Sequence, residues 1–237
     1  MALPINKTPI YNLTIPSTGE FVNFRPFLVK DEKALLLAQN SDDPTVMINT
    51  LKDVIRGCLD SKIDVDRLAI FDIEYIFAQL RAKSVGESID LIFTCGHCEQ
   101  ENNKLKVSID LTKLKVDKDP EHTNTISLYD NVGIKLRYPD IAMIRKIDEL
   151  NNVDMIQIFN IIVDCIDFIY DEDQMYYPKD STRDELMQFL ENLTSDQFAR
   201  IQKFFETMPK IQEVVEFNCP ACSQHNKTTL EGINSFF

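Results

Sequence analysis

Phe93-Thr-Cys-Gly-His-Cys-Glu-Gln-Glu-Asn102 and Phe217-Asn-Cys-Pro-Ala-Cys-Ser-Gln-His-Asn226 share one pattern, Phe-x-Cys-x-x-Cys-x-Gln-x-Asn, and their reading decides the fold. Two cysteines separated by two residues on a tight turn can aim both sulfurs at one ion, and zinc takes four thiolates in a tetrahedron. Cys95, Cys98, Cys219 and Cys222 are therefore the candidate ligands of one structural zinc ion. A β-rich run ending in Phe93 enters the first pair, and the alternating Lys104-Leu-Lys-Val-Ser-Ile-Asp-Leu111 leaves it. Val214-Val215 and Asn226-Lys-Thr-Thr-Leu230 frame the second pair in the same way. About 120 positions separate the pairs, against the ~15–20 of a compact zinc ribbon. A shared ion would close a very long loop and dock two remote segments, with a benefit that grows only logarithmically with loop length. The rival arrangements are two separate sites completed by His97 or His225, a metal-free vestige, or redox cysteines.

Outward from the knuckles, the chain reads as α+β and helix-rich. Ile10–Ile15 and Phe21–Val29 are β-rich runs on either side of Pro16-Ser-Thr-Gly19, a hairpin signal. Helices are expected over Asp31–Ala38, Pro44–Leu59 and Leu68–Ala82. In the last of these, Phe71, Ile73, Ile76, Phe77 and Leu80 load one side, and Asp72, Glu74, Gln79 and Arg81 mark the solvated one. Leu114–Asn124 reads as a charged linker, with His122 inside it carrying no signal. A second hairpin follows over Thr125–Tyr138, turning at Asp130-Asn-Val-Gly133. Helices are expected over Asp140–Leu150 and Asp154–Tyr170. Capping boxes at Thr182-Arg-Asp-Glu185 and Thr194-Ser-Asp-Gln197 open two more. Lys210–Phe217 is a strand into the second pair, and Phe236-Phe237 is expected to dock into the core.

The order repeats: hairpin, Arg and Pro, helix, Cys-bearing helix, amphipathic helix, CxxC. Phe24-Arg25-Pro26 matches Leu136-Arg137-Tyr138-Pro139, and the Asp53–Asp60 run around Cys58 matches Asn160–Asp167 around Cys165. This predicts two pseudo-repeated halves, 1–111 and 112–237, in one compact unit joined at the four-Cys site. Cys58 and Cys165 sit on apolar helix faces, where a thiol behaves as a small hydrophobe.

The 237 residues carry a formal net charge of −13. So acidic a surface repels phosphate backbones and anionic lipid, which argues against nucleic-acid and membrane partners. No stretch approaches the ~20 apolar residues of a membrane span. The N-terminus lacks the basic start and apolar run of a signal peptide, so a reducing cytoplasm is expected, where paired cysteines favour metal or redox chemistry.

Cys95-Gly-His-Cys98 also spells the disulfide-isomerase tetrapeptide, so a thiol–disulfide oxidoreductase on Cys95 and Cys98 is one alternative. That chemistry needs the first thiol at a helix N-terminus, and here polar residues and a strand follow. His97-Cys-Glu99 fits the H-x-E of zinc deaminases, but their P-C-x-x-C half is missing, because Pro220 lies inside the pair. A zinc-ribbon regulatory adaptor for transcription or replication is the other alternative. No GxSxG, Walker or GxGxxG motif is present. Four protein thiolates would leave the metal no open position, so no catalytic residues are expected and the protein is read as a non-enzyme.

Two segments carry a family resemblance: Phe24-Arg-Pro-Phe-Leu-Val-Lys-Asp-Glu-Lys-Ala-Leu-Leu-Leu-Ala38, and Phe71-Asp-Ile-Glu-Tyr-Ile-Phe-Ala-Gln-Leu-Arg-Ala-Lys-Ser-Val-Gly-Glu87 with the CxxC after it. They resemble the baseplate hub assembly proteins of T-even-type contractile-tailed bacteriophages. The resemblance covers residues 20–111 and is most specific at Arg81-Ala-Lys-Ser-Val-Gly86; the second half matches through its length, helices and second CxxC. It implies a non-enzymatic protein of tail morphogenesis in the host cytoplasm, acting on hub or tape-measure proteins, as an assembly factor or as part of the virion baseplate.

Overall fold

The computed structural model describes residues 7–41, 43–60, 62–98, 102–141, 143 and 155–232. By its contacts the chain forms two units, Met1–Asp117 with Lys210–Phe237, and Lys118–Pro209. These differ from the expected halves 1–111 and 112–237, because the strands around the second CxxC return to the first unit.

The first unit opens with a hairpin of β1 (Tyr11–Thr14) and β2 (Phe21–Phe24), closed by Gly19 at φ +73°, a left-handed conformation suited to glycine. Helices α1 (Val29–Gln39), α2 (Pro44–Cys58) and α3 (Ile70–Ser84) follow. Asp43 caps α2 by accepting from the Thr45 N–H at 2.8 Å, and Pro44 starts the helix, where a missing N–H costs nothing. The long ribbon of β3 (Ser88–Thr94) and β4 (Lys104–Asp110) carries the first knuckle. A three-stranded sheet in the order β11-β10-β5 carries the second, with β5 (Lys115–Asp117), β10 (Lys210–Asn218) and β11 (His225–Glu231). One hydrophobic cluster joins these pieces: Ala78 and Ala82 of α3, Ile89 and Ile109 of the ribbon, Leu111, Leu114, and Ile211, Val215, Phe217 and Leu230 of the sheet. The two knuckles are thus held by a shared core.

In the second unit, β6 (Thr125–Tyr129), β7 (Val132–Leu136), β8 (Ile166–Tyr170) and β9 (Met175–Tyr176) form an antiparallel sheet in chain order. Helices α4 (Met155–Asp164), α5 (Arg183–Glu191) and α6 (Ser195–Glu206) complete it. Both expected capping boxes form, at Thr182/Glu185 and Thr194/Gln197. The core gathers Ile126, Leu128, Ile134 and Leu136 with Ile162, Ile166, Leu190, Ile201 and Phe204.

Several expectations are corrected. The helix expected over Asp154–Tyr170 ends at Asp164, and the chain continues as β8. An apolar run rich in β-branched and aromatic residues satisfies both periods, and pairing with β7 selects the strand. The Leu114–Asn124 linker is structured: it contains β5, and both Leu114 and His122 are buried. Asp72 is fully buried instead of solvated. It accepts from the Ser17 N–H at 2.9 Å, the Ser17 hydroxyl and the Ala69 N–H, tying the β1–β2 loop to the start of α3. Burial pushes its carboxyl above the usual range, partly offset by the Ser17 hydrogen bonds. Beyond Ile141 and Met143, the helix expected over Asp140–Leu150 lies outside the described residues, as do Glu99 and Phe236-Phe237.

Candidate metal centre

Each knuckle is a strand that ends, turns on a cysteine and returns. After β3, the Cys95 N–H donates to the Asn103 carbonyl at 2.9 Å, and the Asn103 amide donates to the Cys98 carbonyl at 2.9 Å. The His97 N–H points at Cys95 Sγ, at 3.3 Å. After β10, the Cys219 N–H donates to the Gln224 carbonyl at 2.9 Å, and the Ser223 N–H returns to the Cys219 carbonyl at 2.9 Å. Ser223 takes up the reversal at φ +62°. The N–H groups of Ala221 and Cys222 point at Cys219 Sγ, at 3.4 and 3.5 Å. In both turns the backbone therefore aims N–H dipoles at the first sulfur.

The four sulfurs converge. Cys95 Sγ lies 3.8 Å from Cys222 Sγ and Cys98 Sγ lies 3.8 Å from Cys219 Sγ, while all four lie within 4.8 Å of one another. A disulfide needs about 2.05 Å, whereas a tetrahedron with metal–sulfur bonds of about 2.3 Å has sulfur–sulfur edges of about 3.8 Å. The cluster is compatible with one metal ion. Cys95 and Cys219 are buried and Cys98 and Cys222 half-buried. The Phe93 and Phe217 rings, two residues before the first cysteine of each pair, lie 5.7 Å apart in the shared core.

The four thiols differ in how readily they ionise. Burial opposes ionisation of Cys95, but the His97 N–H, the Asn226 amide and the neighbouring thiol outweigh it and bring that group down to about 6. At Cys222 the Gln224 N–H favours the thiolate, yet burial and the three surrounding sulfurs override it and push the group up to about 12. Four sulfurs this close cannot all carry charge unless a positive ion sits among them.

The competing arrangements fare differently. His97 and His225 are exposed and lie outside the sulfur cluster. His225 stands 3.8 Å from Glu216. Cys95 follows β3, and among the described residues β4 is the next element, so no described helix begins at it in the manner of a disulfide isomerase. Cys58 and Cys165 are buried thiols as expected, and burial pushes them up to about 11 and about 12.

Asn226 is the residue that sequence reasoning passed over as a site residue. It is buried, accepts from the Gly96 N–H at 3.1 Å and donates to Cys95 Sγ and to the Gln224 carbonyl. It appeared only as the end of the repeated Phe-x-Cys-x-x-Cys-x-Gln-x-Asn pattern. A polar residue held at the same step after each pair was the available signal.

A family model described as T4 bacteriophage base plate protein matches residues 8–237. No curated protein and no solved structure matches the chain.

Proposed function

The chain belongs to the T4 bacteriophage base plate protein family, and from that membership we propose that it is a non-enzymatic structural or assembly protein of the hub of a contractile-tail base plate. The family match over residues 8–237 carries this reading. In that role its partners are other hub or tape-measure proteins. It acts in the host cytoplasm where tails are built, or within the virion base plate.

The resident metal of this reading is zinc, held by Cys95, Cys98, Cys219 and Cys222. A donor set of four thiolates favours zinc over the hard cations that take oxygen ligands. With its shell closed by protein, the ion staples the β3–β4 ribbon to the β10–β11 ribbon and offers no position to a substrate. The expected internal duplication also belongs to this proposal. The Arg25 N–H donates to the Cys58 carbonyl at 3.0 Å and the Arg137 N–H donates to the Cys165 carbonyl at 2.8 Å, each tying the end of a hairpin to a cysteine, Cys58 as the last residue of α2 and Cys165 as the residue after α4. The two matched sequence segments thus make the same contact within their own units.

A null allele in a contractile-tailed phage tests the function. Electron micrographs of lysates are expected to show tails arrested without complete base plates, and a supplied copy is expected to restore them. Normal base plates and infectious yield in the null would overturn the reading.

A further inference from the structure

Among the described residues, the β6–β9 sheet buries one face fully and the other only in part. Ile126, Leu128, Ile134, Leu136, Ile166 and Ile169 point into the core of the unit. Side chains alternate across a sheet, and the direct pairs Gly133↔Tyr170 and Tyr170↔Met175 place those residues on the opposite face. That face is aromatic, half-buried at Phe168 and Tyr170 and exposed at Met175 and Tyr177. The Phe168 ring lies 6.3 Å from Tyr170 and 5.8 Å from Tyr177, and Met175 is 56% and Tyr177 40% exposed. An open depression of about 390 Å³ lies between Phe168, Tyr170, Met175 and the Asp171–Gln174 turn.

Cations already sit on these rings. Lys135 Nζ lies 5.3 Å over Phe168 and Lys179 Nζ lies 5.4 Å over Tyr177. The rim of the depression is acidic. Asp171 accepts from the N–H groups of Asp173 and Gln174 and from the Tyr176 hydroxyl, and Glu172 accepts from the Asn131 amide. No lysine or arginine among the described residues forms an ion pair with Asp171, Glu172 or Asp173. Aromatic wall, apolar Met175 and three carboxylates at one end make a surface complementary to a basic side chain with an apolar neighbour.

We propose that this sheet face docks a basic segment of a protein partner, with a lysine or arginine side chain entering the depression between the Phe168 ring and the Asp171–Asp173 carboxylates. The net charge of −13 steers such a segment from a distance. A second copy of the chain would bring the same acidic rim and be repelled. The inference depends neither on the metal centre nor on the base plate reading, and its failure would leave both untouched.

The test uses the full chain and a fluorescein-labelled heptapeptide alternating arginine and leucine, with a glutamate–leucine heptapeptide as the control probe. Anisotropy is expected to saturate with the arginine peptide alone. Met175→Ser and Tyr177→Ser leave the net charge unchanged and are each expected to weaken binding about three-fold. The double variant E172Q/D173N is expected to weaken it about five-fold. E20Q/E32Q makes the same charge change in the other unit and is expected to leave binding unchanged. The proposal is overturned if the arginine peptide does not bind, if M175S and Y177S bind like the parent, or if E20Q/E32Q weakens binding as much as E172Q/D173N. A dimer in sedimentation velocity that M175S dissolves would also overturn it, in favour of a second copy.

Discussion

The side-chain amide of Asn226 donates to the Sγ of Cys95, 131 positions earlier in the chain, at 3.5 Å, and so joins the two knuckles. Its carbonyl oxygen takes the Gly96 N–H of the same knuckle. Asn226 thus orients a proposed ligand without being one, a role whose loss costs metal affinity about 10–100-fold in known metal sites. Asn226→Ala is expected to release zinc to a chromophoric chelator at correspondingly lower chelator concentration, with the fold intact by circular dichroism. Equal zinc retention in variant and parent would remove Asn226 from the centre.

If the four cysteines hold one ion, losing any of them empties the same site. Cys95→Ser and Cys219→Ser are each expected to cost several kcal/mol of stability, because metal-binding free energy is part of folding free energy. The double variant is expected to be scarcely worse than either single one. Native mass spectrometry of the parent is expected to show one zinc per chain, lost with chelator together with a fall in melting temperature. Additive losses in the serine variants, or two ions per chain, would require two separate sites. Should the serine variants fail to fold, the mass measurement on the parent decides the matter alone.

Gly133 has no room for a side chain. A Cβ there would overlap the Tyr170 hydroxyl oxygen and lie 2.7 Å from the Ile126 carbonyl oxygen. Tyr170 pairs directly with Gly133 across the β7–β8 ladder, and its ring lies over the bare backbone. Gly133→Ala is expected to destabilise the protein by about 2 kcal/mol in urea unfolding. Tyr170→Ala in the same chain is expected to return part of that loss, since the ring can be removed while the Ile126 carbonyl cannot move without breaking the sheet. Strict additivity of the two changes would show that the crowding is not felt.

The sequence was most legible where one local rule acts alone. The CxxC turns, the two capping boxes, the hairpins at Gly19 and at Asp130-Asn131, and the periodic α3 each follow from a few adjacent residues. It was misread where distant partners decide. Ile166–Tyr170 suits either period until β7 pairs with it. Asp72 occupies the polar stripe of a helix, and only the Ser17 loop arriving from the other side buries it. His122 looks like one more polar residue of a charged stretch, and its burial depends on Tyr138 and Phe204, 16 and 82 positions later. The β6–β7 hairpin was readable, but not that the outer face of the sheet would stay partly exposed, because that depends on where the helices pack.

The stability of the second unit is expected to depend on pH through His122. The ring packs against both Tyr138 and Phe204, at centroid distances of 5.6 and 5.2 Å, and those two rings lie 5.6 Å from each other. The Thr207 hydroxyl gives its proton to the Lys203 carbonyl at 2.7 Å, so it accepts from His122 Nδ1–H at 2.9 Å. Nε2 is left to accept from the Tyr138 hydroxyl, at 2.9 Å. Both ring nitrogens are thereby satisfied in the neutral form. Burial holds the group below its ordinary value of 6.5, Lys118 adds to that and Asp119 opposes it. The Glu121–Lys203 ion pair, 2.7 Å long and exposed, stands alongside. A histidine lowered on folding binds more protons unfolded than folded in the window between the two values. Its contribution is therefore complete above about 6.5 and is lost as pH falls below that. The urea midpoint of the parent is expected to fall between pH 7.5 and 5.5, above the range where ordinary carboxylates titrate. His122→Gln, which keeps a donor and an acceptor but cannot charge, is expected to show a smaller fall. Equal falls in parent and variant would place the pH dependence elsewhere.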